Sequence, residues 1–113
     1  MSIINVTQNK TLAQKVEIAG TAFKRARGLL GRASLSPQQA LAIPHCQSVH
    51  TLFMKFAIDV VFIDKNKKVV GLVWGIKPFQ FSPIFWKSAC AIELAAGTIE
   101  ATKTQIGDSI QIS

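Results

Sequence analysis

The chain has 113 residues, of which 49% are hydrophobic and 17% are charged. This composition excludes an intrinsically disordered chain, which combines low hydrophobicity with dense charge. The net charge of +7 permits an anionic partner such as nucleic acid, a lipid surface or a phosphorylated metabolite, although the lysines are spread along the chain. The length predicts one domain over residues 1–113.

Two further observations bear on the compartment. No apolar run approaches the ~18 residues that a membrane span requires, and the first ten residues are too polar for a secretion signal. We therefore expect a soluble cytoplasmic protein in which Cys46 and Cys90 are reduced thiols. Their wide separation excludes a paired-cysteine zinc motif, and the sequence predicts neither a metal nor a cofactor.

The N-terminal third of the chain predicts two strands and one helix. Alternating apolar residues over 3–6 and 12–18 predict strands that a polar turn at 8–10 joins. Thr21 is a candidate N-cap for a helix over 22–30, and Gly31 is a candidate end for it. A short strand over 40–43 is expected to end at Pro44.

The rest of the chain predicts mainly strands. Segments 49–53, 58–63, 69–76, 90–94 and 109–112 are predicted strands, with a loop over 78–88 and a helical turn over 98–103. Trp74 lies within one of these strands and is predicted to be in the core. The sequence therefore predicts an α+β fold that is mainly β: a largely antiparallel sheet or partly closed barrel of about seven short strands with one or two short helices.

Several motifs occur in a fixed order from about residue 16 to the C-terminus. They are Arg25-x-x-Gly28-Leu29-x-x-Arg32, His50-Thr51-x-x-Met54-x-x-x-Ile58-Asp59-x-x-Phe62-x-Asp64, Pro78, Ile92-Glu93-Leu94 with Gly97, and Ile106-Gly107-Asp108. In this order they resemble the domain of unknown function family 192 of bacteria and archaea. The resemblance implies a compact β-rich domain, no established activity, and a bacterial member of the cytoplasmic subgroup that carries His-Thr at the centre.

His50 is the first candidate for chemistry. With His45, Cys46 or Cys90 it could bind a metal, or it could act as a base beside a nucleophilic thiol or Asp59. The favoured alternative is a histidine that caps a turn or satisfies a buried carbonyl, because residues four apart in a strand need not share a face. The sequence therefore predicts no catalytic residue.

Asp59 and Glu93 are carboxylates within otherwise apolar strands, where a charge is costly unless it is paired. The expected partner of Asp59 is Arg25 or Arg32. Our hypothesis is a buried polar network that binds a small anion, and the alternative that each group is satisfied separately is favoured. The candidate ligand-binding residues are Arg25, Arg32, His50, Thr51, Asp59 and Glu93.

An aromatic loop is the second candidate site, formed by Phe79, Phe81, Phe85 and Trp86 in a segment that contains Pro78 and Pro83. These rings could cover a ligand or dock a partner. They could equally plug the end of a small core, which is the favoured interpretation.

Three function classes remain open. A non-enzymatic binding domain for a small anion or a partner protein is favoured by elimination. A nucleic-acid-associated accessory protein agrees with the charge but lacks a recognised motif. A small enzyme would need a nucleophile, a base and an orienting group at a trustworthy spacing, and the sequence shows none.

Overall fold

The computed structural model describes residues 1–19, 35–52 and 54–113. These residues form eight strands and one helix. The elements are β1 (Ile3–Asn5), β2 (Lys10–Ala13), β3 (Lys15–Ile18), β4 (Gln39–Pro44), β5 (Ile58–Ile63), β6 (Val69–Ile76), β7 (Cys90–Ala95), α1 (Thr98–Thr102) and β8 (Ile110–Ile112). The helix predicted over 22–30, with Arg25 and Arg32, lies outside the described residues.

The strands form two sheets. The larger has the order β3-β4-β7-β5-β6, and the smaller has the order β2-β1-β8. The β3–β4 pair is parallel and the other pairs are antiparallel. The predicted mainly β fold is confirmed, and the described strands do not close into a barrel.

Two strand predictions differ from the structure. The segment predicted over 12–18 divides at Gln14 because the chain passes from the smaller sheet to the larger one, where the Lys15 N–H donates to the Gln38 carbonyl at 2.8 Å. The described part of the segment predicted over 49–53 contains only an isolated bridge between His50 and Phe81. Its neighbouring hydrogen bonds go to a loop rather than to a sheet.

Strand β5 is buried on both faces, because an apolar cluster covers the sheet on each side of it. Val60 and Phe62 face one apolar cluster, which the loops carrying Val49 and Met54 complete. Val61 and Ile63 face the other cluster, together with α1 and the smaller sheet. A central strand with two buried faces is expected to be apolar at nearly every position. Asp59 is the exception in β5.

Candidate functional site

Strand β6 is an edge strand of the larger sheet as described, and it carries a bulge near its end. Val60 pairs with Val73 and Ile58 pairs with Ile76, so Asp59 alone faces both Trp74 and Gly75. Gly75 has a φ of 52°, a left-handed conformation that suits glycine at such a bulge. The bulge breaks the alternation of inward and outward side chains at the edge of the sheet.

Trp74 is 61% exposed at this bulge, so the prediction that it lies in the core is wrong. A strand position predicts burial only where the alternation is regular and the strand is covered. Neither condition holds at the end of β6. Trp74 instead stands between two open clefts, one toward Phe79 and Phe81 and the other toward Lys103 of α1's C-terminal end.

A buried threonine holds the turn that follows β6. Thr51 is fully buried, and its hydroxyl accepts a hydrogen bond from the Gln80 N–H at 2.9 Å and donates to the Lys77 carbonyl. The Phe79 N–H donates to the Thr51 carbonyl at 2.9 Å, and the Thr51 N–H donates to the Gln80 carbonyl at 2.8 Å. Thr51 therefore fixes the turn 77–80 rather than offering its hydroxyl to a ligand.

The turn displays two aromatic rings. Phe79 is 64% exposed and Phe81 is 70% exposed. Phe79 has a φ of 62°, a conformation that is strained for a bulky residue. The His50 ring lies 6.1 Å from the Phe81 ring at an interplanar angle of 52°. His50 is itself exposed, and its Nδ1 accepts a hydrogen bond from the Leu52 N–H at 3.3 Å.

These elements form an open groove, which we call the aromatic groove. Its volume is about 490 Å³, and it is lined by residues 73–77 and 79–81. Trp74, Phe79 and Phe81 supply the rings, and Lys77 supplies a cation. No carboxylate is among the described residues that line it. The lysine-rich turn at 65–68 lies at the opposite end of the β5–β6 hairpin.

The other two rings of the predicted aromatic loop have different environments. The Phe85 ring lies 4.6 Å from the ring of Phe62, and a Cβ added at Gly71 would meet it at 2.4 Å. Phe85 is therefore a core residue. Trp86 is 74% exposed but does not line the aromatic groove. The loop thus contains one ring that packs against the core and three rings that are exposed.

Asp59 is buried, and its carboxylate accepts hydrogen bonds from three main-chain N–H groups. One carboxylate oxygen accepts a hydrogen bond from Gly75 at 2.8 Å. The other accepts from Gly97 at 3.1 Å and from Ile99 at 2.9 Å. Helix α1 has no side-chain cap of its own, so Asp59 satisfies its first N–H groups and ties them to the bulge beside Trp74.

The described members of the predicted polar network, His50, Asp59 and Glu93, do not form one cluster. Glu93 is buried and pairs in register with Leu41 and Val60, which belong to the first apolar cluster. Asp59 lies on the opposite face, toward α1. The two carboxylates are therefore separated by the sheet, and His50 makes no hydrogen bond to Asp59.

The surroundings of the two cysteines are typical of structural residues rather than of reactive thiols. The Cys46 thiol donates to the Ser48 carbonyl at 3.1 Å. Burial raises the pKa of the Cys90 thiol to about 11, although Lys67 partly offsets this effect. A thiol with this pKa is protonated at neutral pH and is a poor nucleophile. Across residues 1–19, 35–52 and 54–113, no three His, Cys, Asp or Glu side chains are placed to share a metal ion.

A second polar cluster, around Asp108, was not predicted from the sequence. Asn5 and Asp108 are buried, and the Asn5 amide donates to the Asp108 carboxylate at 2.9 Å and to the Thr104 hydroxyl at 3.1 Å. The same carboxylate oxygen accepts from the Gln105 N–H at 2.9 Å and from the Gln8 amide at 3.1 Å. Its signal was a lone asparagine in an apolar strand. No local pattern pairs that residue with an aspartate 103 positions away.

Burial on its own raises the pKa of the Asp108 carboxyl. The hydrogen bonds from Asn5, the Gln105 N–H and Gln8 outweigh burial and hold this pKa below its usual value of 3.8. The cluster joins the smaller sheet to the segment after α1. We call it the polar closure (Asn5, Gln8, Thr104, Gln105 and Asp108).

The fold and the site define a small mixed β protein that displays an aromatic groove. The family model DUF192, described as an uncharacterised ACR, matches residues 3–112. The chain therefore belongs to this family of unknown function. The match includes Asn5 and so begins earlier than the motifs quoted above.

Relatives and solved structures agree with this assignment. A UPF0127 protein of Pyrococcus furiosus is 35% identical over 115 residues, covering 96% of this chain and 96% of its own length. A UPF0127 protein of Thermococcus sibiricus is 33% identical over 112 residues, covering 96% of this chain and 72% of its own length. These relatives are archaeal, so the expected bacterial origin stays a prediction.

Two solved structures share the fold. A protein of unknown function from Novosphingobium aromaticivorans has a TM-score of 0.84 and 15% identity, covering 98% of this chain and 82% of its own. A "putative transcription regulator" from Sinorhizobium meliloti has a TM-score of 0.82 and 20% identity, covering 97% and 89%. At these identities the likeness shows the fold alone. Within the described residues, no helix is long and apolar enough to cross a membrane.

Proposed function

We propose that this protein is a non-enzymatic binding domain that holds an anionic partner on the aromatic groove. The observation that carries the proposal is the exposure of Trp74, Phe79 and Phe81 around Lys77. Single exposed apolar side chains are common on folded proteins, but contiguous apolar patches mark binding surfaces. The three exposed rings of the aromatic groove form such a contiguous patch.

The backbone supports a binding role for these rings. Phe79 keeps a left-handed φ of 62° while its ring is largely exposed. Strain of this kind costs about 1–3 kcal/mol and persists where surrounding structure enforces it, often at binding sites. The hydrogen bonds of Thr51 enforce it here.

The charge of the groove supports an anionic partner. Lys77 lines the groove, and Lys103 lines the neighbouring cleft on the other side of Trp74, with Glu100 beside it. The whole chain carries a net charge of +7. Positive potential raises the local concentration of anions and speeds their association.

The enzyme alternative has less support. Asp59 is occupied by three main-chain N–H groups and cannot orient His50 across the sheet. Cys90 is protonated at neutral pH because burial raises its pKa to about 11. The proposal also takes the chain as a single domain of the cytoplasm, a compartment that suits its two free thiols.

The chain offers its own reporters for a test, because it contains two tryptophans and no tyrosine. A Trp86→Phe variant leaves Trp74 as the groove reporter, and a Trp74→Phe variant leaves Trp86 as a matched control outside the groove. Each would be titrated with oligo(dT) and with a Glu/Leu peptide of similar length and charge, while tryptophan emission and acrylamide quenching are measured.

We expect at least one probe to change the emission of Trp74 and to protect it from acrylamide, with little change at Trp86. The proposal is contradicted if neither anionic probe affects Trp74. Equal changes at both tryptophans would also contradict it, because they would show association without use of the groove.

A further inference from the structure

We infer that the anionic partner of the aromatic groove is single-stranded nucleic acid, whose bases stack on the exposed rings while its phosphates lie near the lysines. This inference rests on the proposed function and adds the chemical class of the partner. It depends on three features of the described residues: the faces of the rings, the open shape of the groove, and the main-chain hydrogen bonds along the edge of β6.

The rings suit unpaired bases. Trp74, Phe79 and Phe81 are each more than half exposed and line one groove with Lys77. Proteins that bind single strands combine aromatic side chains, on which successive bases stack, with cations that follow the backbone. Bases within a duplex are stacked on each other and offer no free face to such rings. A single strand is therefore favoured over a duplex.

The shape of the groove favours a polymer over a small metabolite. Its volume of about 490 Å³ is sufficient for a small ligand, yet it is open to solvent rather than enclosed. Sites for small molecules bury about 70–90% of the ligand surface. An open groove, with a second open cleft beside Lys103 on the other side of Trp74, is better matched to a chain that crosses it.

The edge of β6 disfavours an extended peptide. Peptides commonly dock on a sheet edge by adding a strand and pairing with its N–H and C=O groups. Here the Lys77 N–H, just after β6, is already used, because it donates to the Gln80 side chain at 2.9 Å. The bulge at Trp74 and Gly75 further breaks the ladder. A nucleic acid needs none of these main-chain groups.

The experiment separates base stacking from charge. The Trp86→Phe protein would be titrated with oligo(dT) of about 12 nucleotides, a length within the usual site size of such modules. An abasic oligonucleotide of equal length keeps the phosphates and removes the bases. The Glu/Leu peptide keeps apolar side chains and negative charge. The dissociation constants would be measured at several salt concentrations.

We expect oligo(dT) to quench Trp74 and to bind about tenfold or more tightly than the abasic strand. Phe81→Ala should weaken oligo(dT) binding by about tenfold and leave abasic binding unchanged, whereas Trp86→Ala should change neither. Lys77→Ala should lower the slope of log K against log salt by about 0.7, and Lys65→Ala in the distant turn should leave the dissociation constant within about twofold.

Equal binding of oligo(dT) and the abasic strand would overturn the inference, because charge alone would then explain association. Quenching of Trp74 by the peptide but not by oligo(dT) would also overturn it, while the proposed function would stand. If no probe changes the emission of Trp74, both the inference and the proposed function are contradicted. Since Phe81 is 70% exposed, Phe81→Ala is expected to fold, and circular dichroism would check this.

Discussion

The polar closure and the aromatic groove place their side chains in opposite ways. In the polar closure, Asn5 and Asp108 are polar side chains with 0% and 5% of their surface exposed. In the groove, Trp74, Phe79 and Phe81 are apolar rings at the surface. Each arrangement reverses the usual distribution of polar and apolar groups.

The two regions differ in whether contacts within the protein offset the cost of placing these side chains. The donors around Asp108 meet a carboxylate that accepts them, so hydrogen bonding offsets the cost of burial. The groove rings are exposed to water, and one has a strained backbone. Hydrogen bonding accounts for the burial of the polar closure, whereas the exposed rings of the groove are the basis of the proposed binding role.

Asp59 connects the groove to the core, and its removal should have the largest effect. Asp59→Ala removes the acceptor of three main-chain N–H groups, of which that of Ile99 is buried. We expect the free energy of unfolding to fall by about 3–5 kcal/mol, measured by urea denaturation. Asp64→Ala is the control, since Asp64 accepts two N–H groups in an exposed turn, and a cost below about 1 kcal/mol is expected. A similar loss of stability in the two variants would show that the hydrogen bonds to Asp59 contribute no more than those in an exposed turn.

Asp108→Asn tests the polar closure through pH. At neutral pH the variant should be about 1–3 kcal/mol less stable, because the oxygen that accepts all three hydrogen bonds becomes a neutral and weaker acceptor in an amide. The pKa of Asp108 is lower in the folded state than its usual value of 3.8. The stability it contributes is therefore complete above that value and is lost as the pH falls through the folded pKa.

The measurement is urea unfolding of the wild type and Asp108→Asn from pH 7 to pH 2. The difference between the two proteins should shrink at the acid end. A difference that stays constant over this range would show that the charge of Asp108 does not contribute. Binding of the groove probes at pH 7 should be unchanged, which separates the two regions.

A pair of glycines tests the bulge. A Cβ at Gly75 meets nothing within 4 Å, so Gly75→Ala should cost only about 1 kcal/mol for its left-handed φ. Gly71→Ala should cost about 1–3 kcal/mol, because its Cβ would lie 2.4 Å from the Phe85 ring. Only Gly75→Ala should shift the emission of Trp74 in the Trp86→Phe background. An equal shift for both would show that the bulge does not set the position of Trp74.

The smallest change in stability is expected at the groove itself. Asparagine tolerates a left-handed backbone, so Phe79→Asn should change the free energy of unfolding by less than about 1 kcal/mol. The same variant should lose most of the affinity for whichever probe binds Trp74, measured by fluorescence titration. Trp86→Ala is the control for the loss of an exposed ring. Undiminished affinity in Phe79→Asn would count against the groove.

The strands at the centre of the fold were predictable because their signals are local. Strands β5 and β6 follow from β-branched residues around a polar turn, and β4 ends at Pro44 as expected. The alternation in β5 also placed Asp59 on the correct face, with Val61 and Ile63. The partners of Asp59 were not predictable, because they are main-chain groups 16 to 40 positions away.

The sequence named the loop around Pro78 and Pro83 as a candidate site, which stays a prediction. Its rings could not be sorted from sequence, since Phe85 packs on Phe62 while Phe81 is exposed. Thr51 was singled out, yet its hydroxyl holds a turn. Trp74 was misplaced because a bulge has no strong sequence signal beyond one glycine.

The sequence by itself determined the fold class, the principal strands and the basic charge, because apolar periodicity and composition are properties of neighbouring residues. The tertiary structure alone decided which carboxylates are buried and hydrogen-bonded to distant parts of the chain, and which rings are exposed. Those outcomes depend on strand order, on the bulge in β6 and on contacts such as that between Asn5 and Asp108, 103 positions apart. A side chain's role is set by what surrounds it in space, which a linear pattern does not record.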